Sequence, residues 1–182
     1  AWWLILLVLL FMAGAAGWIA LNTIPALRTR LLSRSLLAVG IGGGLTLALA
    51  TQGVLALDPW YLPRYVVPLA GMTFANAMTA VSLAAERVQA ELAHGCSWAE
   101  ARNTAYQAAM IPVINSLLAV GLVSLPGMMT GQILSGVSPL LAARYQILIM
   151  CLIFAAAGLA AALFLAGARP VLAPPHAEDR GH

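Results

Sequence analysis

Lysine is absent from the 182 residues, histidine occurs three times and acids six times, so only 8% of the chain is charged. A soluble domain carries nearer 25%. Without lysine there is no Gly-x-x-x-x-Gly-Lys loop to cradle nucleotide phosphates. Two cysteines, Cys96 in a polar connection and Cys151 in an apolar run, exclude the multi-bridge framework of a small secreted protein and read as free thiols. His94 falls in a polar connection and His176 and His182 in the tail, which excludes a histidine metal site at mid-membrane. There is no His-Glu-x-x-His and no pair of carboxylates inside an apolar run, which argues against an intramembrane enzyme. What is abundant is apolar: 62% of residues are hydrophobic and the mean hydropathy is +0.93. A water-soluble globule, a disordered tail and a nucleic-acid module are all excluded, and the chain reads as an all-α integral membrane protein embedded in a lipid bilayer.

A bilayer core of about 30 Å takes roughly 20 apolar residues in a helix. Spans are expected at Trp2 to Leu21, Leu36 to Leu57, Tyr65 to about Ala85 and Tyr145 to Ala166. Trp2 to Leu21 lacks the basic leader and short core of a signal peptide and reads as a true span. Between Arg102 and Arg144 there is no charge, and a straight helix through that interval would reach about 60 Å, twice the membrane. It must break, and Ser124-Leu125-Pro126-Gly127 and Ser135 to Pro139 carry the breakers. A fourth span is therefore expected at about Ala105 to Leu125, with a kinked or re-entrant continuation to Leu134. The expected organisation is about five transmembrane helices in one domain over 1–169, followed by an unstructured tail over 170–182.

Five alternating spans put Arg28, Arg30, Arg34, Arg87, Arg102, Arg169 and Arg180 on one face and only Arg64 and Arg144 on the other. The positive-inside rule makes the first face cytoplasmic, with the carboxyl terminus inside a cytoplasmic (inner) membrane. Trp2, Trp3, Trp60, Tyr61, Tyr65 and Tyr145 fall at the outer boundary, where amphipathic rings settle. Small residues recur four apart at Ala13/Gly17, Gly40/Gly44, Gly71/Ala75 and Gly127/Gly131, spacing that suits close helix packing.

The longest cytoplasmic connection, Glu86 to Arg102, reads as helix, stop, helix. Gly95 ends the first piece in the left-handed conformation. Ser97 and Glu100 form a capping box that starts the second, a short helix carrying Trp98 across the cytoplasmic face. Such a helix suits either a groove on a soluble partner or the headgroup layer.

Three segments then carry a resemblance: Val67-Pro68-Leu69-Ala70-Gly71-Met72 with Asn76-Ala77-Met78, the Leu92-x-x-Gly95-Cys96-Ser97 connection, and Gly121 to Gly131 with its Ser-Leu-Pro-Gly-Met-Met block. Together they resemble the FetB-type permease family of ABC transporters, associated with iron export and, in plants, with aluminium tolerance. The resemblance runs from about Trp2 to Leu165 and implies that this chain corresponds to the last five of about seven spans. It implies too that Glu91, Gly95, Ser97, Trp98, Glu100 and Arg102 form the segment that docks on a cytoplasmic ATP-binding subunit. Glu91-Leu92-Ala93 departs from the Glu-Ala-Ala pattern general to ABC permeases. ATP belongs to that partner and no cofactor to this chain, and a permease homodimer is expected by analogy.

A transport route calls for polar groups buried in the bundle. Met72, Asn76 and Thr79 share one face of span three; Asn115 and Ser116 lie one turn beyond Pro112; Pro126, Gly127, Met128, Thr130 and Gln132 surround the break, which at membrane depth must be buried in protein or line a cavity. For each Asn an interhelical hydrogen bond is the rival role. Met72, Met78, Met128 and Met129 offer thioethers to a metal or simply fill gaps. The expected function is a permease subunit exporting iron or another metal ion. The alternatives are ABC-type export of an organic solute such as a sugar nucleotide, or a carrier that uses no ATP.

Overall fold

The computed structural model describes residues 2–55, 62–120, 122–123 and 126–173. Among them the ordered elements are helices: α1 (Trp2–Ile19), a 3-10 turn (Pro25–Leu27) leading into α2 (Arg28–Ala48), a π turn (Leu49–Val54) closing it, α3 (Pro63–Ala93), α4 (Trp98–Ala119), α5 (Gly127–Leu134) and α6 (Pro139–Leu172). Proline and glycine punctuate them. Pro63 and Pro139 take the first helical position, where a missing N–H costs nothing. Ser138 caps α6 by accepting from the Leu141 N–H at 3.4 Å. Gly136 ends α5 at φ +89°. There the Val137 N–H reaches back to the Gln132 carbonyl and the Gly136 N–H to that of Ile133, both at 3.0 Å, so two orphan carbonyls are satisfied.

Helices α3 and α6 form the centre. α6 packs on α2, α3 and α4; α1 leans on α2 and α3; α5 rests on α6. Lipid gives apolar helices no reason to associate, so the bundle depends on close van der Waals fit. α6 therefore turns its alanines inward: Ala156, Ala157, Ala160, Ala161 and Ala168 are all buried, with Phe164 filling the remaining volume. At the periphery α1 leaves Leu10 and Phe11 each 73% exposed, as expected of side chains that face hydrocarbon.

Among the described residues four helices are long and apolar enough to cross a membrane: Trp2–Ile19, Pro25–Val54, Pro63–Ala93 and Pro139–Leu172. The expected span at Ala105 to Leu125 differs. Its helix is α4, which starts at Trp98 and stops at Ala119, with Val120 already extended. α4 is not among those four because Arg102, Asn103, Thr104 and Gln107 make its first half polar. It still runs the full depth of the bundle: Ser97 and Trp98 share a groove with Arg169, while Leu117 and Val120 share one with Gln146. The break expected near Pro126 is present, since α5 is a separate helix beginning at Gly127.

Three further expectations need correction. The short helix carrying Trp98 is not a separate rod across the membrane face but the first turns of α4, because nothing between Ser97 and Ala119 interrupts its hydrogen-bond ladder except Pro112, which α4 absorbs. Gly40, Gly44, Gly127 and Gly131 meet nothing within 4 Å, whereas Gly17 and Gly42 lie against neighbouring backbone. The spacing was present; the helix rotation that aims it was not readable. Third, α6 continues past Pro170 to Leu172, and the Ala173 N–H bonds the Arg169 carbonyl at 2.9 Å. The rest of the expected tail, with Arg180, His176 and His182, lies outside the described residues, as do Asp58, Trp60, Tyr61, Gly121, Ser124 and Leu125.

Candidate functional site

The α3–α4 connection is a tight turn built from local chemistry. Gly95 adopts φ +84°, a backbone that a Cβ would strain. This lets the Cys96 N–H bond the Glu91 carbonyl at 3.2 Å and the Gly95 N–H that of Leu92 at 3.1 Å. Ser97 then opens α4. Its hydroxyl oxygen accepts from the Glu100 N–H at 3.4 Å, while Glu100 Oε2 accepts from the Ser97 N–H at 3.1 Å and from its hydroxyl at 2.8 Å. The Ser97 hydroxyl, then the Ser97 backbone N–H, hold the Glu100 carboxyl below its ordinary range.

A depressed carboxylate stabilises the folded turn at every pH above the ordinary carboxylate range, and that contribution disappears as pH falls through the lowered value. Hydrogen exchange of the Ser97–Ala101 amides should therefore quicken on acidification, and Ser97→Ala should quicken it at neutral pH, weakening the helix start by about 1 kcal/mol.

Glu91 is turned into the same structure. Arg87 pairs with it at 2.7 Å and the Cys96 thiol donates to its other oxygen at 3.3 Å. That bond, with desolvation and the Glu91 charge behind it, raises the Cys96 pKa. Because thiolate is the reacting form, Glu91→Gln should accelerate maleimide labelling of Cys96 several-fold at neutral pH; an unchanged rate would mean the thiol does not feel Glu91.

Of the residues expected in this segment, Ser97, Glu100, Arg102 and Gly95 are exposed, whereas Trp98 is 9% exposed and packs into the core ahead of Ala101 and Ala105. Trp98 therefore anchors α4 rather than offering its ring to a ligand. Beside it lies a groove of about 740 Å³ between the start of α4 and the end of α6. Arg102, Asn103, Tyr106 and Gln107 line one wall, Leu165 and Arg169 the other. Asn103, Tyr106, Gln107 and Arg169 were not singled out from the sequence; the i, i+4 pairs Arg102/Tyr106 and Asn103/Gln107 were the available signal.

The expected route residues do not converge on this groove. Asn76 donates to the Met72 carbonyl of its own helix at 2.8 Å and Thr79 to that of Ala75 at 3.0 Å. Neither bond is interhelical. Met72 and Asn76 are half-buried and Thr79 exposed on α3; Asn115 and Ser116 are exposed on the outward side of α4. Around the break Pro126, Met128, Thr130 and Gln132 are half-buried and Gly127 exposed, and Thr130 donates to the Pro126 carbonyl at 3.2 Å. Fully enclosed polar side chains lie elsewhere: Ser35, which donates to the Gly17 carbonyl at 2.7 Å across the α1–α2 seam, and Thr73, which donates to the Leu69 carbonyl at 2.6 Å. Gln146, also buried, lies beside Met129 in a smaller groove near the outer end of α4.

The arginines sort by end. Arg34 approaches Gly167 and Arg102 lies across from Arg169, while Arg64 and Arg144 sit at the opposite ends of α3 and α6. Arg28 stacks over the Trp18 ring at 3.6 Å and donates to the Trp18 carbonyl at 3.3 Å, closing the end of α1.

A profile of the uncharacterised protein family UPF0014 matches residues 1–171. The chain is similar to a UPF0014 membrane protein of Synechocystis sp., 38% identical over 166 residues that make up 83% of this chain and 64% of the relative. It is 34% identical over 171 residues to a protein of Escherichia coli K12 named probable iron export permease protein FetB, covering 86% of this chain and 64% of that one. It is 33% identical over 170 residues to the Arabidopsis thaliana protein named ALUMINUM SENSITIVE 3, covering 84% and 60% respectively. The chain thus spans 60–64% of the length of these relatives. No solved structure matches.

Proposed function

Because this chain belongs to the UPF0014 family of membrane proteins, we propose that it is the membrane-spanning part of an export permease worked by a separate ATP-binding subunit through the α3–α4 turn. The observation that carries the proposal is the projection of that turn. α3 has 31 residues, about 46 Å of helix against a hydrocarbon core of about 30 Å. Counted from Arg64 at its other end, the excess length falls on the final turns of α3, which carry the connection to α4 past the hydrocarbon at the arginine-rich end, the end the positive-inside rule makes cytoplasmic. The end of this rigid hairpin is held by a left-handed glycine and a reciprocal cap, so a push on it moves α3 and α4 together.

Iron or another metal ion as cargo rests on the name of the Escherichia coli relative, a probable iron export permease. Two permease copies with two ATPase copies would give each turn its own partner. The second half of α4 supports a transport role, since the exposed Asn115 and Ser116 need a protein or aqueous neighbour at membrane depth. The test is copurification of the full-length protein with a candidate ATP-binding subunit from the same genome, then ATPase measurement in liposomes across a panel of metal ions. Stimulation by iron is the expected result. No copurification would remove the ABC assignment, and stimulation without any metal preference would remove the metal cargo.

A further inference from the structure

We propose that the groove between the start of α4 and the end of α6 is a binding site for the phosphodiester headgroup of an anionic phospholipid. It is a cavity of about 740 Å³ whose charged lining residues, among the described residues, are Arg102 and Arg169. Arg102 donates from its Nε and one terminal nitrogen to the side-chain Oδ1 of Asn103, at 3.3 and 3.1 Å. Both arginines are exposed. Two guanidiniums facing one space favour an anion, and their planar forks suit phosphate oxygens.

Depth decides which anion. Arg144 and Arg169 bracket α6, and the 25 residues between them rise about 37 Å, the hydrocarbon thickness plus a few Å on each side. Arg169 therefore lies at headgroup level in the leaflet at the arginine-rich end. Tyr106 approaches Gly158, with 3.2 Å from its hydroxyl to the place a Cβ would occupy, which sets α4 antiparallel to α6 and puts Arg102 roughly opposite Ala162. From there its long side chain reaches the same level by snorkelling.

Beneath the two charges the α6 wall is apolar, through Leu165, Ala166 and Ala162, while the α4 wall carries Asn103 and Gln107 beside the Tyr106 ring. The polar α4 wall suits the glycerol and ester oxygens of a lipid and the apolar α6 wall suits its acyl chain. The site is independent of the ATPase and cargo proposed above, because it requires only that the chain be embedded in a bilayer.

The experiment is a lipid titration of the full-length protein by native mass spectrometry, using phosphatidylglycerol and phosphatidylcholine with identical acyl chains. Phosphatidylglycerol should be retained about tenfold more strongly, in keeping with two arginines at an anionic surface. The double variant Arg102→Gln/Arg169→Gln should lose the preference, whereas Arg144→Gln at the opposite end should keep it. Ala166→Trp, which fills the groove without removing charge, should lower retention of phosphatidylglycerol, and it decides the matter if the double variant does not fold. Millimolar inorganic phosphate should displace nothing. Equal retention of both lipids, a preference that survives both groove variants, or displacement by inorganic phosphate would each overturn the proposal.

Discussion

Gly42→Ala destabilises the bundle by about 1–3 kcal/mol, the usual cost of overpacking a tight interior, while Gly44→Ala, two residues further on, leaves stability unchanged or slightly higher. A Cβ at Gly42 would sit 2.8 Å from the Ala160 nitrogen and 2.9 Å from its Cα, so α2 and α6 would have to separate. Backbone cannot rotate away as a side chain can. At Gly43 the obstruction is a side chain, the Phe74 ring 2.6 Å away. Gly44 meets nothing within 4 Å, and alanine there simply improves helix propensity. Gly42→Leu should abolish folded protein. Melting of purified protein in detergent separates the two alanine variants, yield checks the leucine one, and equal melting of Gly42→Ala and Gly44→Ala would show that α2 and α6 do not touch at this point.

Trp98→Ala and Gly95→Ala should fail in different ways, though they lie three residues apart. Trp98 is buried in the hydrophobic core, and truncating a buried tryptophan costs about 3–5 kcal/mol. The expected outcome is low yield and early melting, with any loss of transport following from lost protein. Gly95 has open space where a Cβ would go and a φ of +84°, so alanine costs only the left-handed strain, about 1–2 kcal/mol. That variant should remain in the membrane and melt nearly normally, yet transport fewer substrate molecules per ATP if the turn transmits the partner's motion. Transport per ATP equal to wild type in Gly95→Ala would remove the turn from the coupling path. Normal melting of Trp98→Ala would contradict its placement in the core.

Much of the turn was legible before any coordinates. Gly95, Ser97 and Glu100 act through bonds to residues at most a few positions away, and a pattern of that range is written in the local sequence. The same holds for the start of α5 after Pro126 and for the long apolar helices, whose length answers to the thickness of the bilayer, but not for the end of α4, which comes at Ala119, ahead of the proline. The groove was not legible, because Arg169 and Arg102 lie 67 positions apart and meet only when α6 returns beside α4. Nor was the inward face of Trp98, since an aromatic residue one step into a helix can face the core, the headgroups or a partner equally well.

Composition and spacing alone therefore established the membrane as solvent, four of the helices long enough to cross it, the end that collects arginine and the local bonds of the α3–α4 turn. These are consequences of transfer free energy and of hydrogen bonds within a turn or two. Packing decided which glycines touch, that α4 continues unbroken from the turn to Ala119, that Asn76 and Thr79 bond their own helix, and that two distant arginines share a groove. Each of those depends on how far every helix is rotated about its own axis. In lipid that rotation is chosen by the fit of small side chains against one another, which no single segment of the chain contains.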